Sequence, residues 1–186
     1  EYLSKDISWR RLRSKYFGLV TTMDGALGGI LKALEDSGQA HNTIIVFTSE
    51  HGEMMGDHRM LYGSSMYQEA IRVPLLIRIP WLEEENRTIP GNISHIDLVP
   101  TLLELLGERV QGHLQGESRA SVMLGDTDLS ENDVVVQWNG EDGRHQHCAI
   151  DFQNNFSKKT YDLIKGLPWR TIMTPDGWKL SINRVD

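Results

Sequence analysis

Between Ser49 and His58 the chain reads Ser-Glu-His-Gly-Glu-Met-Met-Gly-Asp-His, with carboxylates and imidazoles gathered around two glycines. Carboxylate oxygens suit a hard divalent cation. A neutral imidazole adds a lone pair for a metal or moves a proton near neutral pH. Adjacent Glu50 and His51 reach one cation only where the chain has left regular strand geometry, because neighbouring strand residues point to opposite faces. Gly52 and Gly56 permit that departure, since a residue without Cβ turns sharply and approaches a ligand closely. The competing reading is a polar glycine-rich turn with no chemistry.

Familiar alternatives fail on particular residues. His51-x-Glu53 echoes zinc deaminases, but their paired cysteines are impossible in a chain whose one cysteine is Cys148. The same count excludes an internal disulfide and a cysteine zinc cluster. There is no His-Glu-x-x-His, Gly-x-Ser-x-Gly, Walker loop or dinucleotide fingerprint. His145-x-His147-Cys148 offers three ligand types, but in a polar loop this reads as incidental. Asp57 reads as a turn cap, Arg72 as a structural ion-pair partner, and Met54, Met55, Met60 and Met66 as packing. Trp138 and Trp169 are candidates for a pocket mouth.

The elements around the cluster follow from apolar spacing. Trp9–Asp36 has Phe17, Val20, Leu27, Ile30, Leu31 and Leu34 at helical intervals, which predicts one buried face. Gly18, Gly25, Gly28 and Gly29 either allow close packing on a sheet or break it into two helices; Gly38 ends it. Thr43–Thr48 is a continuous β-branched and aromatic run, as in a parallel strand buried on both faces. Val73–Pro80 is a second strand. Ser94-x-x-Asp97 forms a capping box ahead of a helix that Gly107 terminates, with His95 and Asp97 at its start. Beyond a long polar connection, Asp133–Trp138 is a strand. Trp169–Thr174 and Trp178–Ile182 make a hairpin around Asp176-Gly177. Gly140–Lys159 is polar and reads either as a long loop or as a partly disordered stretch.

The expected fold is therefore α/β, a mostly parallel sheet covered by helices over residues 1–130, with a small antiparallel β subdomain over 131–186. The net charge of −7, from 19 basic and 26 acidic residues, argues against a nucleic-acid partner. No apolar stretch approaches the length expected of a membrane span. The chain begins Glu1-Tyr2-Leu3 and is expected to be a piece of a longer protein, so no signal peptide is to be sought at its start. Periplasmic, secreted and cytoplasmic placements all stay open, as does the oligomeric state.

Thr48-Ser49-Glu50-His51-Gly52-Glu53, then Gly56-Asp57-His58, then Tyr67, Glu69 and Arg72-Val73-Pro74 together resemble the sulfatases of the alkaline-phosphatase superfamily. The Tyr16–Gly38 helix, the Ser94–Gly107 helix and the Trp169–Leu180 hairpin resemble the C-terminal part of the same family. The resemblance implies hydrolysis of sulfate esters, small-molecule or glycan. It also implies a divalent metal, usually Ca2+ with Mg2+ or Mn2+ as alternatives, held in part by Glu50 and His51, and a substrate-facing His58. A formylglycine nucleophile belongs to the part of the family sequence absent here, because Cys148-Ala149-Ile150-Asp151-Phe152 does not fit its motif. Two departures stand out: Glu50 where Asp is usual, and Gly63 where the family places a sulfate-binding Lys. Two other readings follow from the same block: a phosphonate or phosphate ester hydrolase of the superfamily, or a sulfatase-like domain without catalysis. In each case this chain alone is expected to lack turnover.

Overall fold

The computed structural model describes residues 6–63, 65–82, 86–139 and 168–183. The His145–Cys148 tract and the polar stretch Gly140–Lys159 lie outside them. The described residues fall into two compact units, one over 6–82 and one over 86–139 and 168–183.

The first unit opens with α1, Asp6–Asp36, a single unbroken helix despite its four internal glycines. It ends as the spacing predicts, with Gly38 at φ 70° donating to Glu35 O at 2.9 Å. The face expected of α1 is only partly buried. Leu27, Leu31 and Leu34 are half-buried, whereas Phe17 and Ile30 are each 66% exposed. Its glycines face open space rather than a sheet. An apolar stripe is buried only as far as a second layer meets it. By length and composition alone, Ser8–Asp36 is long and apolar enough to cross a bilayer, an 18-residue window within it averaging a hydropathy of 1.2. A core helix passes the same test, and Asp24 sits in the middle of this one.

Strands β1 (Ile45–Thr48) and β2 (Leu75–Arg78) pair antiparallel, with Ile45 opposite Arg78 and Thr48 opposite Leu75. The expected mostly parallel sheet is thus represented here by an antiparallel pair. Neither face of β1 is fully buried, since Phe47 is 39% exposed. A continuous apolar run does not report the direction of its neighbour, which depends on the connection. That connection, from Ser49 to Pro74, holds the chemical cluster and the short helix α2, Gln68–Ile71. Its core is Met54, Met60 and Ala70, so two of the four methionines read as packing residues are buried side chains. Ser65 Oγ donates to Met54 Sδ at 3.3 Å.

The second unit carries α3 (Leu98–Leu105), α4 (Ala120–Leu124) and strands β3 (Val134–Trp138), β4 (Trp169–Met173) and β5 (Lys179–Asn183). The capping box forms as expected from Ser94 and Asp97. At the other end of α3, Gly107 at φ 75° donates to Glu104 O at 2.9 Å, and Glu108 donates to Leu103 O at 2.8 Å. This double bond pattern closes helices on a left-handed glycine. Asp97 does more than start the helix. It is 4% exposed, accepts from Glu117 N at 2.9 Å and pairs with Arg119 Nε at 3.2 Å. Arg119 continues to Asn132 Oδ1 at 2.7 Å, and Asn132 Nδ2 donates to Asn92 O at 2.7 Å.

The three strands form an antiparallel sheet in the order β3-β4-β5, as the β-rich end of the sequence predicts. Trp138 stands directly opposite Trp169. The β4–β5 turn places its positive φ, 93°, at Gly177, with Gly177 N donating to Thr174 O at 3.1 Å.

Candidate active site

Past the end of β1 the chain turns so that Glu50 and His51 face each other. Glu50 Oε1 lies 3.8 Å from His51 Nε2, with both side chains open to solvent. His51 Nδ1 lies 2.7 Å from Gly52 O. A carbonyl oxygen only accepts, so a ring proton is assigned to Nδ1, the nitrogen away from Glu50. Ser49 Oγ donates to His51 O at 2.8 Å, steadying the same turn. Imidazoles that bind metals are oriented in this way, by a carbonyl on the second nitrogen.

Two glycines make this arrangement sterically possible. Gly52 N donates to Ala70 O at 2.7 Å, and a Cβ on Gly52 would collide with the backbone carbonyl of Glu69. Gly63, at the position of the family lysine, sits over the His51 ring, where a Cβ would collide with Nδ1 and with Gly52 O. Any side chain at 63 therefore requires the His51 turn to move.

The segment from Met55 to Tyr62 is wound through left-handed backbone. Met55 (φ 46°), Gly56 (φ 96°), His58 (φ 52°) and Tyr62 (φ 66°) all have positive φ. For a non-glycine residue this costs about 1–2 kcal/mol, so the surroundings must hold it. Gly56 N donates to Met60 O at 2.9 Å and Asp57 N to Met54 O at 2.8 Å. The first turns of α1 add a clamp: Arg13 donates through Nε to Met55 O and through a terminal nitrogen to Asp57 Oδ1, both at 2.8 Å. The Trp9 ring lies against Gly56, closely enough that a Cβ there would be 2.6 Å from Trp9 Cε3.

His58 comes out of this turn with its ring stacked on Tyr67, centroids 3.9 Å apart and planes 13° apart. Its Nε2 is 3.8 Å from Glu69 Oε1. The structure thus brings Glu50 to His51 and places His58 with Tyr67 and Glu69. Among the described residues no third carboxylate or histidine joins Glu50 and His51 in a metal-sized group. The Asp57 side chain pairs with Arg13 rather than capping its own turn. For Arg72, no carboxylate partner is present among the described residues. Sequence reasoning missed Trp9 and Arg13, which lie more than forty positions away and carry no local motif.

A family model described as Sulfatase matches residues 2–108. The chain belongs to the sulfatase family. A second model, for the C-terminal region of N-sulphoglucosamine sulphohydrolase, matches residues 56–167. Among curated sulfatases, the arylsulfatase K of Gallus gallus is 36% identical over 169 residues, 90% of this chain and 30% of that protein. The multifunctional alkaline phosphatase superfamily protein PehA of Trinickia caryophylli is 37% identical over 110 residues, 59% of this chain and 21% of the relative. The chain thus spans about a third or less of the length of these relatives. Among solved structures, a 2-O GAG sulfatase superposes with a TM-score of 0.76 at 23% identity, over 96% of this chain and 35% of that one. The phosphonate monoester hydrolase of Silicibacter pomeroyi superposes with a TM-score of 0.70 at 23% identity, over 97% and 36%. At that identity the likeness speaks for the fold, which is that of the sulfatases and their alkaline-phosphatase-like neighbours.

Proposed function

We propose that this chain supplies part of the active centre of a metal-dependent sulfate ester hydrolase. In this reading Glu50 and His51 are two of the ligands of a divalent cation, and His58 faces the substrate. The observation that carries it is the orientation of His51: Nδ1–H is tied to Gly52 O, and Nε2 lies 3.8 Å from the Glu50 carboxylate. One imidazole nitrogen and one carboxylate fit part of the coordination shell of a hard cation. The remaining ligands, and the formylglycine expected of the family, are assigned to sequence outside this chain, so turnover is assigned to the parent protein.

When bound, the cation withdraws charge from the ester oxygens. The residues of this chain hold and orient. Glu50 supplies anionic oxygen, and the greater reach of Glu over Asp is accommodated because its side chain is 84% exposed. Gly52 O holds the His51 ring through Nδ1–H, which leaves Nε2 as the atom to meet a metal. His58 gives or takes a proton, or a hydrogen bond, at the substrate. With glycine at position 63 no cationic side chain approaches from that point.

A phosphonate or phosphate ester is the second reading, favoured by the likeness to PehA and to the Silicibacter pomeroyi hydrolase. Calcium is the expected ion, with magnesium and manganese as alternatives. Titration calorimetry with each ion, on the full-length protein and its Glu50→Ala and His51→Ala variants, tests the site. Saturable binding that both substitutions weaken supports it; binding unchanged in both variants overturns it. Parallel assays with 4-nitrophenyl sulfate and phenyl phosphonate monoesters separate the two readings.

A further inference from the structure

We propose that Glu69 and Tyr67 form a positioning pair for His58, fixing the ring that the function above turns toward substrate. This rests on the placing of His58 at the substrate, and adds what determines its direction. Tyr67 covers one face of the imidazole, with centroids 3.9 Å apart and planes within 13° of parallel. Glu69 Oε1 stands 3.8 Å from Nε2, within ion-pair range of a protonated ring and just beyond a direct hydrogen bond. The two constraints are complementary. A stacked face leaves the ring free to slide and spin in its plane, and a carboxylate at one nitrogen removes that freedom.

The backbone makes the pair more than a local contact. Tyr67 caps α2 at its N-terminal end and Glu69 lies in its first turn. The Glu69 carbonyl abuts Gly52, whose N–H donates to Ala70 O at 2.7 Å. The same turn of α2 therefore sits against the residue that follows His51 and carries the side chain that faces His58. This links the two histidines through α2. His58 itself has φ 52° and ψ 21°, a conformation that β-branched residues resist. With the ring held between Tyr67 and Glu69, His58 is placed to hand a proton to a leaving oxygen. The proton passes from the imidazole nitrogen to that oxygen, and the neutral ring is left beside Glu69.

The test uses the full-length protein with isotope-labelled histidine, in wild-type, Tyr67→Leu, Glu69→Gln and Glu69→Ala forms. Stacking shifts the His58 ring-proton resonances upfield, and Tyr67→Leu returns them toward free-histidine positions. Glu69→Ala changes the His58 ring 15N shifts while leaving the melting temperature close to wild type. With a hydrolysable ester, Glu69→Gln lowers kcat by about 10-fold or more with KM little changed. Glu69→Asp, made alongside, recovers part of the rate. His58 resonances identical in wild type, Tyr67→Leu and Glu69→Ala overturn the inference. So does a Glu69→Gln enzyme with unaltered kcat. If the wild type hydrolyses neither sulfate nor phosphonate esters, the functional reading fails, and the resonances alone decide whether Glu69 and Tyr67 hold the ring.

Discussion

Arg13 and Asp57, 44 residues apart in sequence, meet at 2.8 Å on the rim of the candidate active site. The pair is half-exposed, and alone an exposed ion pair contributes about 0–1 kcal/mol. Its significance is that the same guanidinium also bonds Met55 O at 2.8 Å, tying two points of a left-handed turn to α1. Arg13→Ala is expected to raise amide hydrogen exchange across Gly56–Met60 while lowering global stability by no more than about 1–2 kcal/mol. Arg13→Lys should not recover the protection, because one ammonium does not reproduce the two-pronged geometry. Exchange rates equal to wild type in both variants would show that the turn holds itself.

Gly63 offers a direct probe of the metal ligand. Gly63→Ala places a methyl carbon in collision with His51 Nδ1 and Gly52 O, so the ring must turn and give up its carbonyl bond. Loss of that orienting bond is expected to weaken divalent-metal binding about 10- to 100-fold in calorimetry. Unchanged affinity in this variant would mean that the Nδ1 bond does not orient a ligand.

The Asp97–Arg119 pair in the second unit should govern stability rather than chemistry. Both side chains are largely buried, at 5% and 17% exposure. Removing one partner leaves the other as an uncompensated charge, so Asp97→Ala should cost about 3–5 kcal/mol in denaturant unfolding. A loss below about 1 kcal/mol would mean that water reaches Arg119 freely.

Asp128 gives a pH-dependent prediction outside any site. The hydroxyl and backbone N–H of Ser130 both donate to its carboxylate, holding it below the ordinary value of 3.8. A carboxylate depressed by folding stabilises the native state above its unfolded pKa, and that stability is lost as pH falls through the folded value. The window thus lies below 3.8. Side-chain carbon NMR should show Asp128 titrating at lower pH than an exposed aspartate. Ser130→Ala should move it back up, and no movement would remove the hydroxyl as the cause.

Much of this protein was legible residue by residue. The capping box at Ser94 and Asp97, the left-handed stops at Gly38 and Gly107 and the turn at Gly177 are local devices, whose partners lie within a few positions in the chain. The block from Thr48 to Pro74 likewise carries its family likeness in order and spacing alone. The direction of β2 against β1 and the exposure of the α1 stripe were not legible, because periodicity says which face is apolar and nothing about what meets it.

The sequence by itself determined the family block and the residue types available for chemistry, Glu50, His51 and His58 among them. Tertiary structure alone decided their relations: Gly63 over the His51 ring, Arg13 on the loop, and Tyr67 and Glu69 around His58. The physical reason is separation. A hydrogen bond or ring contact depends on distances of a few ångströms, and chain segments far apart in sequence come to those distances only through packing.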